Sequence, residues 1–231
     1  MTQEALIDAM CIGAHPDDVE IGMGATVAGM VRRGMKVVIV DLTNGEPTPF
    51  GTPETRAAES AEAARILGAQ RRTLSQSNRY LFDTVEARIE LAEVIREFRP
   101  RTIYVPYADD THPDHIAASA IAIAARFYSK FTKTEMSGEP YFPERVYRYM
   151  AVHMRVIAEP SFIVEVTQDL PTKLAALQAY TSQFAENPAN AGIVELMREE
   201  AARWGGLGRV QAGEPFFALE PLTLASVGDL L

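Results

Sequence analysis

The segment AMCIGAHPDDVEIGMGATVAGMVRRGMKVVIVDLT, Ala9 to Thr43, decides the fold. Its first six residues, Ala9 to Ala14, are an apolar run of strand length, ended by Pro16. From Val19 the apolar positions recur at helical spacing until Gly34 stops them. Lys36 to Thr43 is a β-branched run of the kind that a parallel sheet covers on both faces. Strand, helix and strand in this order make one crossover unit, and such units are right-handed. The turn after the first strand carries His15, Asp17 and Asp18, with Glu20 just beyond. One imidazole and three carboxylates at the edge of a core need an explanation, because unpaired charge is costly to bury.

The same unit recurs along the chain. Asn44 to Glu54 reads as a loop, and Pro53 to Leu67 as a helix with Thr52 as its N-cap. Arg72 to Leu74 is a short strand, and an amphipathic helix capped by Asp83 closes before Pro100. Arg101 to Tyr107 is the next buried strand, followed by the polar loop Ala108 to His115 and a helix over Ile116 to Tyr128. Further on, Arg145 to His153 and Ser161 to Thr167 read as strands, and Leu170 to Phe184 and Ile193 to Trp204 as helices. The last residues give no clear signal.

This alternation predicts an α/β fold, a Rossmann-like and mostly parallel sheet with helices on both faces. Its core is expected over about residues 1–130, with a smaller C-terminal extension over about 140–231, all in one domain. The long loop Lys130 to Arg145 and the apolar C-terminus suit contacts between copies, so a homo-oligomer is expected.

Thirty-one acidic residues against 22 basic ones give a net charge of −9, which repels phosphate backbones and anionic lipid. No nucleic acid and no membrane partner is expected. The single Cys11 cannot form an internal disulfide and sits in an apolar run as a small hydrophobe, which suits a reducing compartment. No apolar stretch reaches the roughly 20 residues that span a bilayer. The opening MTQEALIDAM is acidic where a signal peptide is basic, so a cytoplasmic location is expected.

A second cluster, HPDH at His112 to His115, also follows a predicted parallel strand. In an open α/β sheet, loops beyond the strands' carboxyl ends line one crevice, so the two clusters can converge. Together they hold three of the four histidines. Imidazole nitrogen and carboxylate oxygen are the usual ligands of a catalytic zinc with one open position. His15, Asp18 and one of His112 and His115 complete such a set, and spacing alone does not choose between the last two. The proline after each histidine is expected to hold its loop out of helix. Asp17 is left free to take a proton.

With these residues the chain resembles the PIG-L/LmbE-like family of zinc-dependent de-N-acetylases. GAHPDDVEIGMGAT matches the family's first signature and HPDH its second, and the likeness extends through DLTNGEPTPFGTPETRAAE, ARILGA and KLAALQAYTSQF. It is nearest the bacillithiol-pathway branch, which deacetylates N-acetylglucosaminyl malate. The resemblance implies one Zn2+ per chain on His15, Asp18 and His115, a donor set that iron, cobalt or manganese could also occupy, with Asp17 as general base. It implies that His112 acts at the developing oxyanion, as a cation or hydrogen-bond donor, and that Asp114 orients an imidazole. Arg56 is implied to contact the sugar or an anionic aglycone, with Asn78 and Glu46 also at the substrate. Two positions depart from the pattern: Asn78 replaces an aspartate that contacts the sugar, and Thr111 replaces a basic residue. His153 reads as a core or surface residue, with the pocket wall as its alternative.

The substrate expected is a small amino-sugar conjugate resembling GlcNAc-malate, or alternatively another GlcNAc glycoside or a chito-oligosaccharide. Two other classes remain in view. One is a nucleotide-binding module built on GMGATVAG, which the intervening carboxylates disfavour. The other is a two-metal phosphoesterase that recruits Asp109 and Asp110.

Overall fold

A computed structural model describes residues 5–151, 153, 158–223 and 226. Five parallel strands form most of one sheet: β1 (Ile7–Gly13), β2 (Val37–Thr43), β3 (Gln70–Gln76), β4 (Pro100–Pro106) and β5 (Arg145–Tyr149). The helices between them are α1 (Asp18–Arg32), α2 (Pro53–Leu67), α3 (Val85–Phe98) and α4 (Pro113–Tyr128). After β5 come β6 (Phe162–Glu165), α5 (Leu170–Gln178), a π-helical turn at Thr181–Ala185, α6 (Ile193–Gly208) and β7 (Gly213–Ala218). The sheet order is β3-β2-β1-β4-β5-β7-β6, with β7 antiparallel to both of its neighbours. The C-terminal part therefore extends the same sheet.

Strand alternation explains the two layers. In β1, Met10 and Ile12 face a core built with Leu91 and Ile95 of α3 and Ile121 of α4. Ala9 and Cys11 face the opposite core, with Val19, Met23 and Val27 of α1 and Leu67 of α2. All seven residues of β2 are buried, as expected for a strand covered on both sides. Gly22 makes the close packing of α1 possible, because a Cβ there would collide with the Tyr149 ring. The glycines of GMGATVAG thus serve packing and form no phosphate cradle.

Several boundaries differ from the sequence expectation. Thr84, and not Asp83, caps α3 by accepting from Ala87 N–H, while Asp83 pairs with Arg88. Helix α4 starts at Pro113, inside HPDH, since proline is tolerated at the first helical position, whose N–H has no intrahelical partner. The stretch expected as one helix from Leu170 breaks after Gln178, and β7 was not expected. Strand β5 ends at Tyr149; of the rest of its expected span Met150, Ala151 and His153 lie outside any strand, and residue 152 lies outside the described residues. So does most of the apolar C-terminus proposed as a contact surface, residues 224–225 and 227–231.

At β1 the order reverses: the chain first builds outward through β2 and β3, then crosses to β4 on the other side. The loops after β1 and β4 diverge there, which opens a crevice at the strands' carboxyl ends. They are the two loops that carry HPDD and HPDH.

Candidate metal centre and cleft

Helix α1 begins immediately after β1, and its first turn is shaped around Asp18. That carboxylate accepts through Oδ2 from the backbone N–H groups of Ala14 and His15, each at 2.9 Å. Its Oδ1 faces His115 Nε2 at 3.3 Å. His115 lies in the first turn of α4 and is 3% exposed. Its Nδ1 meets Asp110 Oδ2 at 2.6 Å, which leaves Nε2 buried with no hydrogen-bond partner among the described residues. His15 Nε2 meets Asp114 Oδ2 at 3.1 Å, and its Nδ1 lies 3.7 Å from Asp18 Oδ2.

His15, Asp18 and His115 each offer a donor atom, all within 4.8 Å of one another. This arrangement fits a divalent cation on three observations: an orphaned ring nitrogen, a nitrogen and oxygen donor set of the kind zinc takes, and a carboxylate behind each imidazole to fix its tautomer. Electrostatics agree. Burial opposes charge on His115, yet Asp18 and Asp110 on either side raise its pKa to about 9, so the pocket favours positive charge at that point. Burial also opposes ionisation of Asp18, but His115 and His15 hold its carboxyl well below the usual range.

A second grouping, His15 with His112 and Asp114, shares the first imidazole. Its members are already hydrogen-bonded to one another, since His112 Nδ1 accepts from Asp114 N–H at 3.2 Å while Asp114 holds His15. Asp110 is equally committed: besides His115 it accepts from the N–H groups of Thr111, His112 and His153. Those bonds leave it poorly placed to serve a second metal.

Asp17 sits at the N-cap of α1 with φ 108, a left-handed conformation that non-glycine residues adopt at a cost. Its side chain caps nothing; its Oδ2 lies 3.4 Å from both terminal nitrogens of Arg56. Burial pushes its carboxyl up to about 7, against the pull of Arg56. Two adjacent aspartates are thereby driven apart in acidity. Arg56 itself is 2% exposed, donates to Pro16 O at 2.6 Å, and lies over the Tyr180 ring. Gly45 makes room for it, since at φ 73 an added Cβ would sit 2.8 Å from Arg56 Nη2.

Of the two forms expected for His112, cation or hydrogen-bond donor, the geometry favours the donor. An Nδ1 that accepts a backbone hydrogen bond carries no proton, so the ring is neutral with its hydrogen on Nε2. Burial and the neighbouring imidazoles of His115, His15 and His153 push its pKa down to about 4. Pro113, expected to keep its loop out of helix, instead starts α4 and makes His112 the cap.

A cavity of about 380 Å3 opens onto these groups. Arg56 and Asn78 line it, as do Thr48, Arg79 and His153. Glu46 is not among the lining residues: its two oxygens turn back onto Thr48, accepting from its N–H and its hydroxyl at 2.6 Å each. Glu20 is not part of the cation site either. It is fully buried, Arg71 at 2.6 Å balances its charge, and the Tyr180 hydroxyl donates to it at 3.0 Å. Asp110 was missed as an orienting group because a bond from a carboxylate to a ring Nδ1 five residues away leaves no spacing signature.

Fold and site together define a class, α/β proteins with a candidate cation site in the crevice at their strand ends. The family model described as GlcNAc-PI de-N-acetylase, PIG-L, matches residues 10–126. The chain belongs to this family of de-N-acetylases and is an enzyme of the deacetylase class. It is 29% identical to the diacetylchitobiose deacetylase of Thermococcus kodakarensis, an alignment covering 77% of this chain and 70% of that one. It is 26% identical to 1D-myo-inositol 2-acetamido-2-deoxy-alpha-D-glucopyranoside deacetylase 2 of Catenulispora acidiphila, covering 91% and 87%. A conserved protein of Thermus thermophilus, known by its crystal structure, superposes with a TM-score of 0.87 at 37% identity, over 95% of this chain and 97% of that one.

Proposed function

We propose that the protein removes the N-acetyl group from an N-acetylglucosamine conjugate by metal-dependent hydrolysis, releasing acetate and a free amine. The observation that carries this reading is the convergence of His15, Asp18 and His115, with the otherwise unpartnered His115 Nε2, in the family's crevice. Zn2+, one per chain, is the ion that suits the donor set. When bound it would supply Lewis acidity, polarising the acetamide carbonyl and acidifying water.

The protein's own groups supply the rest. Asp17, beside the ligand but outside the ligand set, accepts the proton of the attacking water and returns it to the departing amine. Arg56 holds that carboxylate in place through Pro16 O and Asp17 Oδ2. His112, neutral and protonated on Nε2, donates a hydrogen bond to the oxygen that becomes negative, a contribution worth roughly 3 kcal/mol of barrier. Asp114 and Asp110 hold the two ligand imidazoles in their tautomers. Asn78 on the cleft wall can both accept and donate to sugar hydroxyls.

The curated relatives are named for inositol-linked and chitobiose substrates. A GlcNAc conjugate with a malate-like aglycone is our reading for this chain, and assembly into a homo-oligomer in the cytoplasm is part of the same proposal. Among the described residues no helix is long and apolar enough to cross a membrane.

Acetate release from a panel of N-acetylglucosaminides tests the activity. The reading expects acetate and amine in equal amounts, abolished in His115→Ala together with the bound ion. Phosphate release from phosphate esters without any acetate would instead favour the phosphoesterase class.

A further inference from the structure

Five non-glycine residues among the described ones have positive φ: Asp17, Arg79, Arg99, Lys133 and Arg209. Arg99 and Arg209 close α3 and α6, where a left-handed residue ends a helix, and Lys133 lies in the long loop. Arg79, at φ 69, closes no helix and faces the cleft. A side chain in that conformation is strained where glycine is not.

Its backbone does not explain the choice. The Arg79 N–H donates to Asp114 Oδ2 at 2.7 Å, and Leu81 N–H reaches Asp114 Oδ1 at 3.3 Å, so the carboxylate that orients His15 also clamps this loop. Any residue but proline supplies that N–H. What arginine adds is a guanidinium on the cleft wall. It is exposed, and none of the ion pairs among the described residues includes it.

The charge balance of the cleft points the same way. Its ionisable lining, histidines aside, is Asp17, Asp18, Arg56 and Arg79. Among the described residues Arg56 is ion-paired with Asp17, whereas Arg79 belongs to no ion pair. Arg56 is buried and committed to Asp17 and Pro16. Arg79 is the one that reaches solvent.

We propose that Arg79 determines specificity by gripping an anionic group, a carboxylate or a phosphate, on the portion of the substrate beyond the amino sugar. A guanidinium fork fits either group with two parallel hydrogen bonds. The proposal rests on the deacetylase reading above and names the residue that selects an anionic aglycone within it.

The test compares three N-acetylglucosaminides with the full-length, metal-loaded protein: a methyl glycoside, a hydroxy-acid glycoside and a glycerol-phosphate glycoside. The wild-type protein is expected to favour at least one anionic substrate over the methyl glycoside by about tenfold or more in kcat/KM, the size of one charge-assisted hydrogen-bonded pair. Arg79→Gly is expected to cut that ratio about tenfold, through KM, with a melting temperature equal to or above wild type because glycine relieves the left-handed backbone. Arg79→Lys retains part of the preference. In an Asp17→Asn background, calorimetry should show Arg79→Gly weakening binding of the preferred anionic glycoside about tenfold. Equal kcat/KM for neutral and anionic substrates in wild type, or an unchanged ratio in Arg79→Gly, overturns the assignment while leaving deacetylation standing. No acetate from any glycoside overturns both.

Discussion

Asp17 and Asp18 share a turn, yet the structure gives them opposite surroundings. Asp18 receives two backbone N–H groups and faces an imidazole, whereas half-buried Asp17 has Arg56 at 3.4 Å and His15 nearby to favour its charge. Asp17→Asn is therefore expected to retain the divalent ion at wild-type stoichiometry and to lower kcat about 10^3-fold, within the range for a lost general base. Metal analysis beside acetate kinetics checks it, and a wild-type rate would remove Asp17 from the chemistry. Asp110 has a different task. Asp110→Asn is expected to weaken metal affinity by roughly 10- to 100-fold, the usual cost of losing a carboxylate behind a ligand imidazole. A competition titration against a chelator measures that loss. At this scale the sequence displayed the residue types but not their tautomers: His112 could be read as a candidate from HPDH, while its neutral state depends on a backbone bond made only once α4 starts at Pro113.

At the scale of elements, the placement of α1 depends on its far side. The helix breaks at Met23, whose φ of −151 is not helical, and the freed N–H groups of Ala25 and Thr26 are taken by Glu214 of β7 at 3.2 and 2.7 Å. Lys173 of α5 neutralises that carboxylate at 2.6 Å, with both side chains buried. A residue near the C-terminus thus re-caps the helix that carries Asp18. Glu214→Ala leaves a buried ammonium and two N–H groups unpaired, and is expected to cost roughly 3–5 kcal/mol in urea unfolding; a loss below about 1 kcal/mol would show that the pair contributes little. The strands β1, β2 and β4 were legible because burial on both faces leaves continuous apolar runs. Strand β7 was not, because GEPFFA begins with glycine and carries a proline. Pro215 is tolerated because its pairing with β5 starts only at Phe216, so that flank carries no partner at the proline.

For the whole molecule, strand order converts two distant motifs into one site. The chain turns from β1 outward to β2 and β3, then returns to β4, so HPDD and HPDH meet only in three dimensions. The α/β alternation made that convergence foreseeable, whereas spacing could show a helix at Met197 but not that Thr48, Gln183 and Met197 meet on one cleft wall. A ligand that binds only the folded chain stabilises it, by about 2.7 kcal/mol at a hundredfold excess over Kd. The chelated protein is accordingly expected to melt some 5 to 10 °C below the metal-loaded form, at about 2–4 °C per kcal/mol for a chain of this size.

The most direct test is a titration of the chelated protein with zinc, following acetate release from an N-acetylglucosaminide against ions bound per chain. Activity should rise linearly and stop at one ion, with neither binding nor turnover in His115→Ala. Full activity in the ion-free protein, or a plateau reached only at two ions, would contradict a single catalytic ion shared by His15, Asp18 and His115.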